Sequence, residues 1–127
     1  MAVAPQALTW FIARGESLSI PETIAIAPGA DPRADGSQFL LRLMTARDSG
    51  RPILTFDSFA TPAGCTITNW SSPNVTLLFQ ASQLQILTFA AGQYVGDVMR
   101  IRGGGAFGQL RDRVAVVTLT VDGATTL

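Results

Sequence analysis

Histidine and lysine are absent from this 127-residue chain, and cysteine occurs once. Without histidine the commonest general base is missing, and with it every Ser-His or Cys-His nucleophile pair and most zinc sites. A single cysteine, Cys65, excludes an internal disulfide, so the fold must stand on its core alone, as suits a reducing cytoplasm. Charge is also scarce. Charged residues make up 14% of the chain, and nine arginines offset nine acids, so no basic footprint for DNA or RNA exists. The opening MAVAPQALTWFIARG lacks the basic start and apolar run of a secretory signal, and no window approaches the roughly 18 apolar residues of a membrane span. Neither nucleic acid nor a membrane is therefore expected as a partner.

Apolar residues, by contrast, are plentiful at 47%, and the length suits one domain with one core, residues 1–127. A neutral, weakly charged surface is poorly defended against association, which leans toward an assembly subunit. The apolar residues come in short runs bounded by Gly, Pro, Asn, Asp and Ser, the pattern of an all-β sandwich or barrel. Strands are predicted over 7–14, 17–27 with a break near Pro21, 39–46, 52–56, 66–70, 75–80, 93–102 and 110–121. The stretch QASQLQILTFAAG is the one helical candidate, with Ser82 as its cap. RDSGR, residues 47–51, reads as a hairpin loop, and PGADPRADGS, residues 28–37, as a surface connection.

The stretch RIRGGGAFGQLRDR places Gly103, Gly105 and Gly108 at the spacing G-x-G-x-x-G. A dinucleotide fingerprint needs a helix after the glycines, because the helix N-terminus holds the pyrophosphate. The chain continues instead with QLRDRVAVVTLTV, whose valines and threonines favour a strand. The glycines are read as a hairpin loop, and no cofactor is expected. Acids lie mostly beside arginines in loops, as surface ion pairs do, and DPRAD lacks the further carboxylates of a calcium loop. No catalytic or metal-binding residue is assigned. Trp10, Trp70, Phe89, Tyr94 and Phe107 offer rings either to the core or to a sugar, and Phe107, at the hairpin tip, is either tucked back or offered to a partner.

The last strand carries the most information. Val114 to Val117 is apolar at every position, with Leu119 and Val121 continuing, so both faces call for cover and a partner chain is expected to supply one. Residues 1–9 read as an extended apolar arm suited to a neighbour's sheet edge. Asp97 shares a face with Val95 and Met99 and is either solvent-facing or buried and hydrogen-bonded; the second is preferred, with Arg14 or backbone amides as partners.

TNWSSPNVTLLFQASQLQILTFAAGQYVGDVMRIRGGGAFGQLRDRVAVVTLTV resembles a layout found in small virion proteins of tailed bacteriophages. Gly92, Tyr94, Val95, Asp97 and Val98 match its G-x-Y-V-x-D-[LMV] piece, and Val114, Val116 and Thr120 its closing strand. FIARGESLSIPETI is similar to its opening, with Arg14, Gly15, Glu16 and Ser17 between the first two strands. LRDRVAVV departs from the glycine-bearing start usual for the last strand. The resemblance implies a single antiparallel immunoglobulin-like β-sandwich with at most one short helix. It further implies a non-enzymatic capsid-decoration, neck, tail or baseplate subunit, assembled in the host cytoplasm, whose partners are other virion proteins and copies of itself. The expected contact surfaces are the arm (Val3, Leu8, Trp10, Phe11), the hairpin tip (Phe107) and the end strand (Val117, Leu119, Val121), with Arg100 and Arg102 as polar anchors. Two alternatives stand beside it: a receptor- or glycan-binding tail module using Trp70, Tyr94 or Phe107, and a small hydrolase using Asp97 and Glu16.

Overall fold

The computed structural model describes residues 5–45, 54–60, 64–87, 90–103 and 108–123. Its elements are β1 (Gln6–Ala13), β2 (Leu18–Ala25), β3 (Gln38–Leu43), β4 (Leu54–Asp57), β5 (Cys65–Ser71), β6 (Asn74–Ala81), α1 (Gln83–Leu87), β7 (Gly92–Gly103) and β8 (Gln109–Asp122). They form a two-layer all-β sandwich, a five-stranded sheet ordered β1-β8-β7-β3-β4 over a three-stranded sheet ordered β2-β6-β5. Order β2-β6-β5 against β8-β7-β3-β4 is that of strands B-E-D against G-F-C-C′ in an immunoglobulin-type sandwich. Every pairing within these sheets is antiparallel except β1 with β8, which run parallel from Gln6↔Ala115 to Ala13↔Asp122.

Alternation builds the core. Leu8, Trp10 and Ile12 of β1 point inward, as do Val75, Leu77 and Phe79 of β6 and Val117, Leu119 and Val121 of β8. Rings from three strands meet at the centre: Trp10 lies 5.1 Å from Phe79 and 6.2 Å from Phe56, and Phe56 stands edge-on to Phe79 at 5.7 Å. Each such pair contributes about 0.5–1.5 kcal/mol beyond its burial. The Trp10 indole N–H finds its partner in the Glu22 carboxylate, 2.8 Å away on β2, so this bond also ties the flanks of the two sheets.

Tyr94, near the start of β7, is buried and donates its hydroxyl to the Ala90 carbonyl at 2.6 Å. This is the tyrosine corner of immunoglobulin-type sandwiches, a phenol that pins the crossing between sheets. On the same crossing, Ser82 and Gln85 form a capping box. The Gln85 amide donates to Ser82 Oγ at 3.2 Å, and the Ser82 amide to Gln85 Oε1 at 2.8 Å.

Several expectations need correction. β2 runs unbroken through Pro21, which pairs with Leu78; β2 is an edge strand, where a missing N–H need not interrupt the ladder. Residues 6–9 are the first half of β1, hydrogen-bonded into the chain's own sheet, and are not an extended arm. The run at Val114 to Val117 does not need cover on both faces. Val98 pairs with Ala115 and Met99 with Arg113, so Val114 is an inserted bulge residue, and two neighbours, Val114 and Ala115, both turn inward. Arg14 to Ser17 do join β1 to β2, and β7 leads into a strand, β8, rather than a helix. The RDSGR loop and Gly105 lie outside the described residues.

Candidate functional site

Most residues expected to form a contact surface are interior. Leu8, Trp10, Val117, Leu119 and Val121 all belong to the core cluster, because β1 and β8 pack this face against the small sheet. Arg100 is equally unavailable. Its side chain is 3% exposed, donates from Nε to Ser37 Oγ at 2.9 Å and pairs through Nη2 with Asp35 at 2.7 Å, fixing the 28–37 connection to β7. Arg102 is half-buried beside Asp112 at 3.5 Å. Phe11 remains, 74% exposed on the outward face of β1. Val3 and Phe107 lie outside the described residues.

The surface that the fold does present is the outward face of the five-stranded sheet. The ladders set its side chains in rows across the strands. One row runs from Arg113 on β8 to Met99 on β7, Leu40 on β3 and Asp57 on β4. In the next row Val116 faces Asp97 on β7, and Arg42 on β3 faces Thr55 on β4. The β3–β7 register, continued from Leu41↔Val98 to the Met44↔Val95 bridge, sets Arg42 across from Asp97. Beyond these lie Val95 beside Thr118, and Phe11 beside Thr120. Val95, Asp97, Met99, Val116, Thr118 and Thr120 are all half-buried, as residues in the middle of an open sheet face are.

Asp97 is thus on the outward face, not in the interior. Arg113 Nη1 approaches it at 3.9 Å, a loose surface pair. Of the two placements the sequence leaves open for the face shared by Val95, Asp97 and Met99, the structure shows the outward one and not the preferred buried one. The alternation of Tyr94, Gly96 and Val98 held the signal for the opposite phase.

Charge on this face alternates by strand: Arg113 on β8, Asp97 on β7, Arg42 on β3 and Asp57 on β4. Asp57 accepts from Gln38 Nε2 at 2.8 Å and from the Phe59 amide at 2.9 Å, so its carboxylate is held in place.

The clefts are chemically quiet. One of about 300 Å³ between the 28–37 connection and β5 is lined in part by Arg33, Phe59 and Cys65. Arg33 is already engaged by Asp31 through a bidentate bond, which lowers the Asp31 pKa. Burial pushes the Cys65 thiol up to about 12, with the charge of Asp57 adding to it, so the thiolate is not accessible near neutrality. A second cleft, about 400 Å³, is lined mainly by polar residues, among them Ser17, Ser19 and Gln80.

Glu16 and Asp97 are not a catalytic pair. Glu16 accepts from the Ala13 amide, and Ala13 pairs with Asp122, whereas Asp97 pairs with Val116. Six residues of β8 separate those positions, about 20 Å at a strand's rise and well beyond the roughly 9.5 Å limit for two working carboxylates. Of the rings considered for a sugar, Trp10 and Tyr94 are buried and Trp70 packs half-buried against the core; Phe89 lies outside the described residues. Among the described residues no three of His, Cys, Asp and Glu gather as a metal site, and no helix is long and apolar enough to cross a membrane.

No family model matches the chain, and no curated protein does.

Proposed function

We propose that this chain is a non-enzymatic structural subunit of a tailed-phage particle, acting by protein–protein assembly through the outward face of its five-stranded sheet. The observation that carries the reading is the make-up of that face. Threonines, valines, Met99 and the exposed ring of Phe11 cover strands that no described helix overlies, with only single charges between them. Such a surface is suited to burial against another protein that pairs with Arg113, Asp97, Arg42 and Asp57, since pairing offsets their lost solvation while the apolar side chains between them gain by leaving water. The resemblance to small virion proteins supplies the setting, a repetitive particle in which modest contacts add up through multivalency. Within that setting the partners are other virion proteins, the compartment is the particle, and decoration, neck and tail positions all fit the same surface.

The test is to purify particles from cells carrying the gene through a density gradient and quantify the chain by mass spectrometry. Co-sedimentation at a fixed ratio to the major capsid protein is expected. Absence of the chain from intact particles would overturn the proposal.

A further inference from the structure

Resting on that reading of the face, we infer that its β8-β7-β3-β4 portion packs against the same portion of a second copy of this chain, about a two-fold axis. The axis runs along the strands, between β7 and β3. A rotation about such an axis exchanges strands across the interface, so β7 lies over the partner's β3 and β8 over the partner's β4, while positions along the strands are kept. The registers then decide what meets. Asp97 and Arg42 share one row, and Arg113 and Asp57 share the next, with Met99 and Leu40 between them. The rotation therefore sets Asp97 over the partner's Arg42 and Arg113 over the partner's Asp57, with Met99 above the position of the partner's Leu40, which is already buried within its own chain. Each contact occurs twice, as an isologous interface requires.

A second copy is the occupant because the signs alternate plus, minus, plus, minus from β8 to β4, a series that becomes complementary to itself on this one rotation. A two-fold across the strands through the Asp97 and Arg42 row would instead set each of these over its own copy and oppose like charges. The size fits a modest dimer. Four strands about 4.8 Å apart and six residues of about 3.3 Å rise give roughly 400 Å² in projection per copy, below the ~800 Å² of a standard interface. The dimer is accordingly one that dissociates on dilution and gains from repetition in a particle.

The test uses sedimentation of the full chain over a concentration series. Arg42→Asp and Asp97→Arg should each weaken self-association at least tenfold, since each leaves like charges facing across the axis. Mixing the two variants should restore it. One of the two symmetry-related contacts then keeps its native Asp97 and Arg42, and in the other the two introduced charges face each other with their signs exchanged; no effect within a single chain reproduces this. Should either variant fail to fold, Thr55→Cys with Val116→Cys gives an independent reading. These sites are three strands apart, about 14 Å, too far to bridge within a chain, yet they face each other across the axis. A disulfide-linked dimer under mild oxidation is expected. A wild-type monomer at every concentration, single variants that still associate, or a double-cysteine chain that stays monomeric would each overturn the inference. A solution monomer found in particles would refute the dimer and leave the virion reading standing; a dimer absent from particles would do the reverse.

Discussion

Replacing Gly96 with alanine tests how tightly β3 and β7 are locked together. A Cβ at Gly96 would lie 2.3 Å from the Arg42 carbonyl oxygen, 2.9 Å from Leu41 Cδ1 and 3.0 Å from the Arg42 carbonyl carbon. The first gap is about 1 Å short of an ordinary contact, and the obstructing atom is backbone in a strand with a neighbour on each side, so it has nowhere to swing. Overpacking of this kind costs about 1–3 kcal/mol. The upper end applies here because β3 must move as a unit, while the entropy that alanine removes from the unfolded chain returns only about 0.4–1 kcal/mol. A net loss of about 2 kcal/mol is expected, or a fall in Tm of about 8 °C at roughly 4 °C per kcal/mol. Urea unfolding followed by tryptophan fluorescence would report it as a lower midpoint with an unchanged slope. Gly15→Ala is the control, since nothing lies within 4 Å of a Cβ there, and it should stay within about 0.5 kcal/mol of wild type. A Gly96→Ala chain as stable as the control would refute the steric argument and the close registry of β3 with β7 on which the outward face depends.

Tyr94→Phe removes the 2.6 Å bond to the Ala90 carbonyl and should cost about 1–2 kcal/mol in urea unfolding, with amide exchange rising first around α1. Arg100→Met should destabilise by about 2 kcal/mol and speed exchange at the Ser37 amide, because the connection before β3 loses the guanidinium that Asp35 and Ser37 hold; unchanged exchange there would count against that role. Cys65 should not react with a thiol reagent at pH 8 in the native state and should react once unfolded. Its folded pKa is raised, from 9.0 to about 12, so its contribution is complete below pH 9 and is lost as pH rises toward 12. Relative to Cys65→Ala, wild-type stability should therefore fall across that window and run parallel below it.

The strands were legible because each buries one face and shows it as a two-residue period, and the helix because Ser82 stands as its cap; the reciprocal bond from the Ser82 amide to Gln85 appears only in the structure. Pairing was not. The parallel join of Gln6 to Ala115 links residues more than a hundred positions apart, and no local pattern records such a partner. That gap explains the error over Leu8 and Trp10, which read as an arm's contacts although their spacing with Ile12 already marked an inward face. The Val114 to Val117 run misled for a different reason: a bulge shifts the phase of alternation, and an inserted residue looks in sequence like a strand buried on both sides. Arg100 read as a surface anchor because its partners, Asp35 and Ser37, come from a distant connection rich in glycine and proline.

How the strand edges are closed bears on how this molecule meets others. β2 carries Pro21, β5 has a bulge at Thr68 between its two registers with β6, and β4 is four residues long. At the remaining edge, β1 is bound across to β2 by Trp10 to Glu22 and by Gln6 Nε2 to the Thr23 carbonyl at 3.3 Å. Each edge thus carries a feature that discourages an added strand, so association by strand exchange is disfavoured at all four. The broad sheet face carries no such device. Its charges stand one to a strand and alternate in sign from Arg113 on β8 to Asp57 on β4. A heterologous contact between two different edges would extend the sheet without limit, whereas a two-fold face contact closes on itself after one partner. On the proposed reading as a particle subunit, closure of that kind would confine growth to contacts made at the rest of its surface, where Phe11 stands 74% exposed on the edge strand β1.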